Sequence, residues 1–147
     1  MSGTSRRDIV VGGTGLLFIG SVWVPSAMGQ TGAVTPARHQ LFIDEAERMR
    51  QVAVAAGDQS YGAVVVSGGE IVGWGPSRVI VDRSLNAHAE RVAIWDAQAR
   101  TGRKDLAGAV LYSTSRACSV CEGVAARAGI SRMYWGAKGS DAGVPRG

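Results

Sequence analysis

Most of the chain's metal-binding chemistry lies in two short clusters. The chain has two histidines and two cysteines. His88 stands two positions before Glu90 in "NAHAERVAIW", and Cys118 and Cys121 share "RACSVC". Two thiolates and one imidazole give zinc three protein ligands and leave a fourth tetrahedral position open, which is the pattern of a catalytic site. Glu90 is too close to His88 to complete that ligand set with ease. Beside an open position it suits a proton shuttle. A Cys-x-x-Cys pair can also be a redox dithiol at a strand-to-helix junction. However, only 26 residues follow Cys121, too few for the rest of a thioredoxin-like domain, and a dithiol has no use for His88 or Glu90. A disulfide between positions i and i+3 closes a tiny loop and constrains little.

The surrounding pattern says how these residues are positioned. From Ala37 to Ala56 the chain reads as a helix, with Leu41, Ala46, Met49, Val52 and Ala53 near one face and Gly57 ending it. His39 reads as a solvated residue of that helix. "YGAVVV" and "EIVGWG" flank Ser67-Gly68-Gly69 as a β-hairpin. A connecting segment follows, with extended character at Val79 to Val81. Asn86 is the expected N-cap of a helix from Ala87 to Arg100. "AVLYST" is a strand, "SVCEGVAARAG" a helix closed by Gly129, and "RMYWG" another strand. The tail from Ala137 has no periodic signal. The order α-β-β-α-β-α-β gives an antiparallel hairpin first and parallel pairing later. The fold class is therefore α/β, a mixed sheet between helices on both faces. Helices side by side on one face would bring both clusters together at their N-termini, whose dipoles favour thiolates.

Composition is that of a globular domain, 46% hydrophobic and 19% charged. Net charge is +4, and there is no basic run or basic-aromatic interleaving, so no stable nucleic-acid partner is expected. Arg6 and Arg7 precede an uncharged stretch from Ile9 to Met28, Pro25 breaks it, and Ala27-Met28-Gly29 offers a small-residue cleavage site. This resembles a bacterial twin-arginine export signal. The expected organisation is a signal at 1–29, a linker at 30–36 and a zinc domain at 37–147, in the periplasm or secreted. An uncleaved signal would leave the protein tethered to the membrane.

"HAE" followed by "CSVC" resembles the zinc-dependent cytidine/deoxycytidylate deaminase superfamily. "SYGAVVVSGGEIVGWG" looks like its first hairpin, and "AVLYSTSRACSVCEGVAARAGISRMYWGA" like its second zinc helix with the flanking strands. "AHAE" and "MYWGA" are nearest the guanine deaminase and tRNA adenosine deaminase branch. The resemblance implies a three-layer α-β-α sandwich and one zinc per chain on His88, Cys118 and Cys121. It makes Glu90 the catalytic acid-base and implies a backbone contact from Ala89 N–H to the base. Tyr61 would border the base pocket, and Ser77 stands where the purine-acting branch has a base-contacting asparagine. It implies a small base or nucleoside substrate and a homodimer or larger assembly. Two further features depart from the family: Arg116-Ala117 replaces the usual Glu-Pro, and many relatives continue further after the last strand. Two other readings stay open, a zinc protein of this fold without turnover and an exported thiol-disulfide oxidoreductase.

Overall fold

The computed structural model describes residues 35–147. The expected signal at 1–29 and nearly all of the expected linker lie outside the described residues. Helix α1 (Pro36–Ala55) is followed by strands β1 (Gly62–Ser67) and β2 (Glu70–Pro76), helix α2 (Ala89–Thr101) and strand β3 (Val110–Ser113). Helix α3 (Ser119–Arg127) and strands β4 (Arg132–Trp135) and β5 (Ser140–Gly143) complete it. The sheet runs β2-β1-β3-β4-β5. Only β3 and β4 pair in parallel, as expected of a strand-helix-strand crossover, and the hairpin β1–β2 is antiparallel. No helix among the described residues is long and apolar enough to cross a membrane.

Strand β1, inside the sheet beside β3, explains the three layers. β1 is apolar at successive positions, so both of its faces are buried. Ala63 and Val65 pack with Ala93, Ile94 and Ala97 of α2 and Ala125 of α3. Val64 and Val66 pack with Phe42, Ala46 and Met49 of α1. The buried stripe of α1 is Phe42, Ile43, Ala46, Met49 and Ala53, whereas Leu41 and Val52 are exposed. The helix thus sits rotated from its expected face, because the two bulkiest apolar side chains of its first half are adjacent. His39 is half-buried rather than solvated. Its Nδ1 lies 3.0 Å from the Tyr112 hydroxyl, and its ring meets Tyr134 edge-on.

Three local expectations are corrected. Asn86 does not cap α2: its Oδ1 accepts a 2.9 Å hydrogen bond from Arg91 Nη1, and the cap is His88. Val79 to Val81 are not extended, because Asp58 accepts from Ile80 N–H and Val81 N–H, each at 2.8 Å, and draws the segment into turns. The tail contains a fifth strand. Its sequence, Ser-Asp-Ala-Gly, carries no apolar alternation. Pairing with β4 and the Arg132–Asp141 ion pair (2.6 Å) hold it instead.

Helix α2 lies directly against β2. A methyl group at Gly75 would overlap the Ala89 carbonyl and Ala93 N, and one at Gly73 would overlap the Ala93 carbonyl and Ala97. The alternation Gly73-Trp74-Gly75 thus puts bare backbone toward α2 and the indole toward α1, where Trp74 Nε1 donates to Glu45 Oε1 at 2.7 Å. Gly75→Ala is expected to destabilise the fold by about 1–3 kcal/mol through overpacking, measured by urea unfolding. It should also weaken metal binding, because Ala89 directly follows His88. Wild-type stability together with wild-type metal affinity would contradict this packing account.

Candidate active site

Each cluster starts a helix. His88 is the N-cap residue of α2 with extended backbone and makes no side-chain capping bond, which leaves its ring free to turn to other partners. Cys118 is the N-cap residue of α3, and its sulfur accepts from Cys121 N–H at 3.4 Å. The two helices pack on the same sheet face. His88 Nδ1 lies 3.4 Å from Cys121 Sγ and 3.8 Å from Cys118 Sγ. The two sulfurs are 3.0 Å apart, and both cysteines are free.

Zinc at about 2.3 Å from sulfur and 2.05 Å from nitrogen, in tetrahedral geometry, separates nitrogen from sulfur by about 3.6 Å. The two N···S distances bracket that value. The sulfurs would part by about 0.8 Å to reach the tetrahedral S···S separation of about 3.8 Å. These three side chains form the group among the described residues able to hold a metal ion. Burial comes first in raising the Cys121 thiol, followed by its hydrogen bond with Cys118 and the charge of Glu90. Buried Cys121 and Glu90 beside the exposed Cys118 would repel one another as thiolates and carboxylate, and a divalent cation resolves that conflict. The donor set and its spacing fit zinc.

Glu90, in the first turn of α2, is 5% exposed. Burial raises its pKa, opposed by its own backbone N–H, the His88 charge and a hydrogen bond with Cys121. A cavity of about 180 Å³ opens beside it, lined by Tyr61, His88, Ala89, Glu90, Arg116 and Cys118. Ala89 occupies the first helical position, whose N–H has no intrahelical partner. Thus the structure brings together His88, Ala89, Glu90, Cys118, Cys121 and Tyr61. It does not bring Ser77 to the cavity wall. Ser77 is 2% exposed, and its hydroxyl donates to Asp58 Oδ1 at 2.7 Å.

Two supporting residues had no chemical motif to reveal them. Asp58 gathers the loops on either side of the hairpin. Beyond Ser77, Ile80 and Val81, it accepts from Gln59 N–H at 2.7 Å. Burial works to raise its pKa, but the donors Val81, Ser77, Gln59 and Ile80 outweigh it and bring it down to about 2. The only sequence sign was an aspartate directly after the glycine that ends α1. Arg91 is buried beside Glu90 and holds Asn86 Oδ1 and the Leu85 carbonyl (2.7 Å). Its Nε has no partner among the described residues. Together these two residues fix the segment that delivers His88.

The family described as the cytidine and deoxycytidylate deaminase zinc-binding region matches residues 36–137. A tRNA(Ile)-lysidine synthase of Deinococcus deserti is 30% identical over 146 residues, covering 95% of this chain but 27% of that protein. The tRNA-specific adenosine deaminase of Bacillus subtilis is 31% identical over 98 residues, 67% of this chain and 61% of the relative. Guanine deaminase of the same organism is 30% identical over 105 residues, 71% of this chain and 67% of the relative. Its X-ray structure superposes with a TM-score of 0.64 at 30% identity, covering 67% of this chain and 64% of that one. The chain therefore spans about a quarter of the synthase and about two thirds of the two deaminases.

Two outcomes test this geometry. Purified protein should carry one zinc per chain by elemental analysis, and His88→Ala or Cys121→Ser should lower its zinc affinity at least about tenfold. Unchanged metal content in both variants would remove these residues from the site. Asp58→Ala should cost at least about 2 kcal/mol, since it strands the buried Ser77 hydroxyl and three part-buried N–H groups. The pH sign follows from its lowered pKa. The Asp58 contribution is complete above the unfolded value of about 3.9 and is lost as pH falls towards about 2. Urea unfolding from pH 6 down to pH 2 should therefore show a smaller loss in Asp58→Ala than in wild type; parallel curves would contradict this.

Proposed function

We propose that this chain, which belongs to the cytidine and deoxycytidylate deaminase family, hydrolyses the exocyclic amine of a small nucleobase, nucleoside or related amino-heterocycle and releases ammonia. The observation that carries the reading is a buried carboxylate, Glu90, at the wall of a cavity that His88 and Cys118 also line. The names of the relatives support the same chemistry, since both Bacillus subtilis proteins are deaminases. The expected export signal favours a diffusible substrate over intracellular tRNA.

The residues divide the work. His88, Cys118 and Cys121 would hold zinc, which when bound makes water acidic enough to ionise near neutral pH. Glu90 takes a proton from the attacking water and gives one to the ring nitrogen. It then takes the proton of the newly added hydroxyl and passes it to the amine as the C–N bond breaks. One water and one amine become a ring carbonyl and ammonia, and Glu90 ends in the state it began. Burial, which raises the Glu90 pKa, helps it both take and return a proton near neutral pH. Ala89 N–H, free at the start of α2 and backed by the positive helix end, is placed to donate to the ring. Tyr61, 46% exposed at the cavity edge, offers an apolar ring face to the base.

The test is ammonia release by zinc-loaded protein across bases and nucleosides, with Glu90→Gln as comparison. Wild type should release ammonia from one substrate class. The variant should be slower by about a hundredfold or more with its zinc content unchanged. A variant that binds zinc and matches wild type would remove Glu90 from the mechanism. A zinc-loaded wild type inert towards every compound would favour the reading of a metal protein without turnover.

A further inference from the structure

The cavity wall carries a cation that the proton chemistry does not use. Arg116 lines the same cavity as His88, Ala89 and Glu90. It is exposed and forms no ion pair among the described residues. The carboxylate that shares a small neighbouring cleft with it is Glu122, and Glu122 is already taken. Its Oε1 accepts from Arg146 N–H at 3.1 Å and from Arg146 Nε at 3.0 Å. The backbone that presents Arg116 is held in place: Ser113 Oγ donates to the Ser115 carbonyl at 2.5 Å, and Gly62 N–H donates to Thr114 Oγ1 at 3.1 Å. Arg116 therefore stands on a fixed loop, at the rim, with an uncommitted guanidinium.

Charge is layered across the site. Glu90 lies deep, 5% exposed, beside the fully buried Cys121, whereas Cys118 is exposed. Helix α3 begins at the rim, where Ser119 and Val120 are exposed, and presents its positive end there. Arg116 adds a full charge. A neutral ring engages a guanidinium through stacking or single hydrogen bonds, whereas the planar fork of arginine matches phosphate and carboxylate oxygens two at a time with full charge pairing.

We propose that Arg116 is a specificity-determining residue that pairs with an anionic substituent of the substrate. The preferred substrate is then an amino-heterocycle carrying a phosphate or carboxylate away from its reacting amine. This inference rests on the deaminase reading for the position of the ring.

The experiment compares matched neutral and charged compounds on zinc-loaded protein. The pairs are cytidine, adenosine and guanosine with their 5′-monophosphates, and cytosine with 5-carboxycytosine. Two readouts are taken, kcat/KM for ammonia release and binding by calorimetry, in wild type, Arg116→Gln, Arg116→Glu and Arg127→Gln. The last removes the same charge from the far end of α3. The charged member of at least one pair should be preferred by about tenfold or more. That preference should collapse in Arg116→Gln, invert in Arg116→Glu and persist in Arg127→Gln. The pair that responds identifies the anion as phosphate or carboxylate. No charged preference in wild type, or one that survives both Arg116 variants, overturns the inference while ammonia release leaves the deaminase reading standing. Arg116-dependent binding without ammonia would uphold the anion site and sink the deaminase reading. Neither binding preference nor ammonia would overturn both.

Discussion

The backbone of α2 rests on β2 with only glycine hydrogens and alanine methyls between them, where Gly73 and Gly75 pass beneath Ala89, Ala93 and Ala97. A helix normally stands off a sheet by the depth of its side chains. Here that spacing is removed at two alternate positions of one strand and matched by alanines four residues apart on the helix. The contact leaves α2 little freedom to slide or rise, so His88 and Glu90 at its first turn inherit a position set by the sheet. The same strand fixes the opposite layer, since Trp74, between the two glycines, reaches Glu45 on α1. The site thus depends on packing in which only Ala89 also lines the cavity.

Electrostatics then decides what that position is worth. Folding places two cysteines and a glutamate at the shared N-terminal ends of two helices. Without a cation, burial and mutual repulsion hold the Cys121 thiol protonated, and burial raises Glu90. Helix dipoles offset a part of this cost. A divalent metal offsets far more, and in doing so couples ligand deprotonation to binding. Asp58 shows the contrasting solution for a buried carboxylate. It stays ionised because four protein donors surround it, so it needs no metal and works as a brace for the loops.

The legible part of the sequence was the part with a local cause. Helix and strand order followed from apolar periodicity and glycine punctuation, and the metal-binding set followed from the rarity and spacing of His88, Cys118 and Cys121. What escaped depended on partners outside the segment whose pattern was read. The strand Ser140–Gly143 has no pattern of its own and exists because β4 offers an edge. Val79 to Val81 look extended by composition, yet a carboxylate more than twenty residues earlier captures two of their N–H groups. Asn86 has the side chain of an N-cap but is claimed by Arg91, and the cap passes to a metal-ligand candidate instead. Ser77 was placed at the base by resemblance, whereas its hydroxyl is committed to Asp58. In each case a tertiary hydrogen bond outweighed a local preference.

The central claim is a zinc centre of one imidazole and two thiolates with one position left for solvent. X-ray absorption at the zinc edge of the metal-loaded protein tests it most directly. The shell should hold two sulfurs at about 2.3 Å and two light atoms at about 2.0–2.1 Å, with one of the light atoms exchangeable for an added anion. Four protein ligands with no exchangeable position, or a shell of four sulfurs shared between chains, would contradict it.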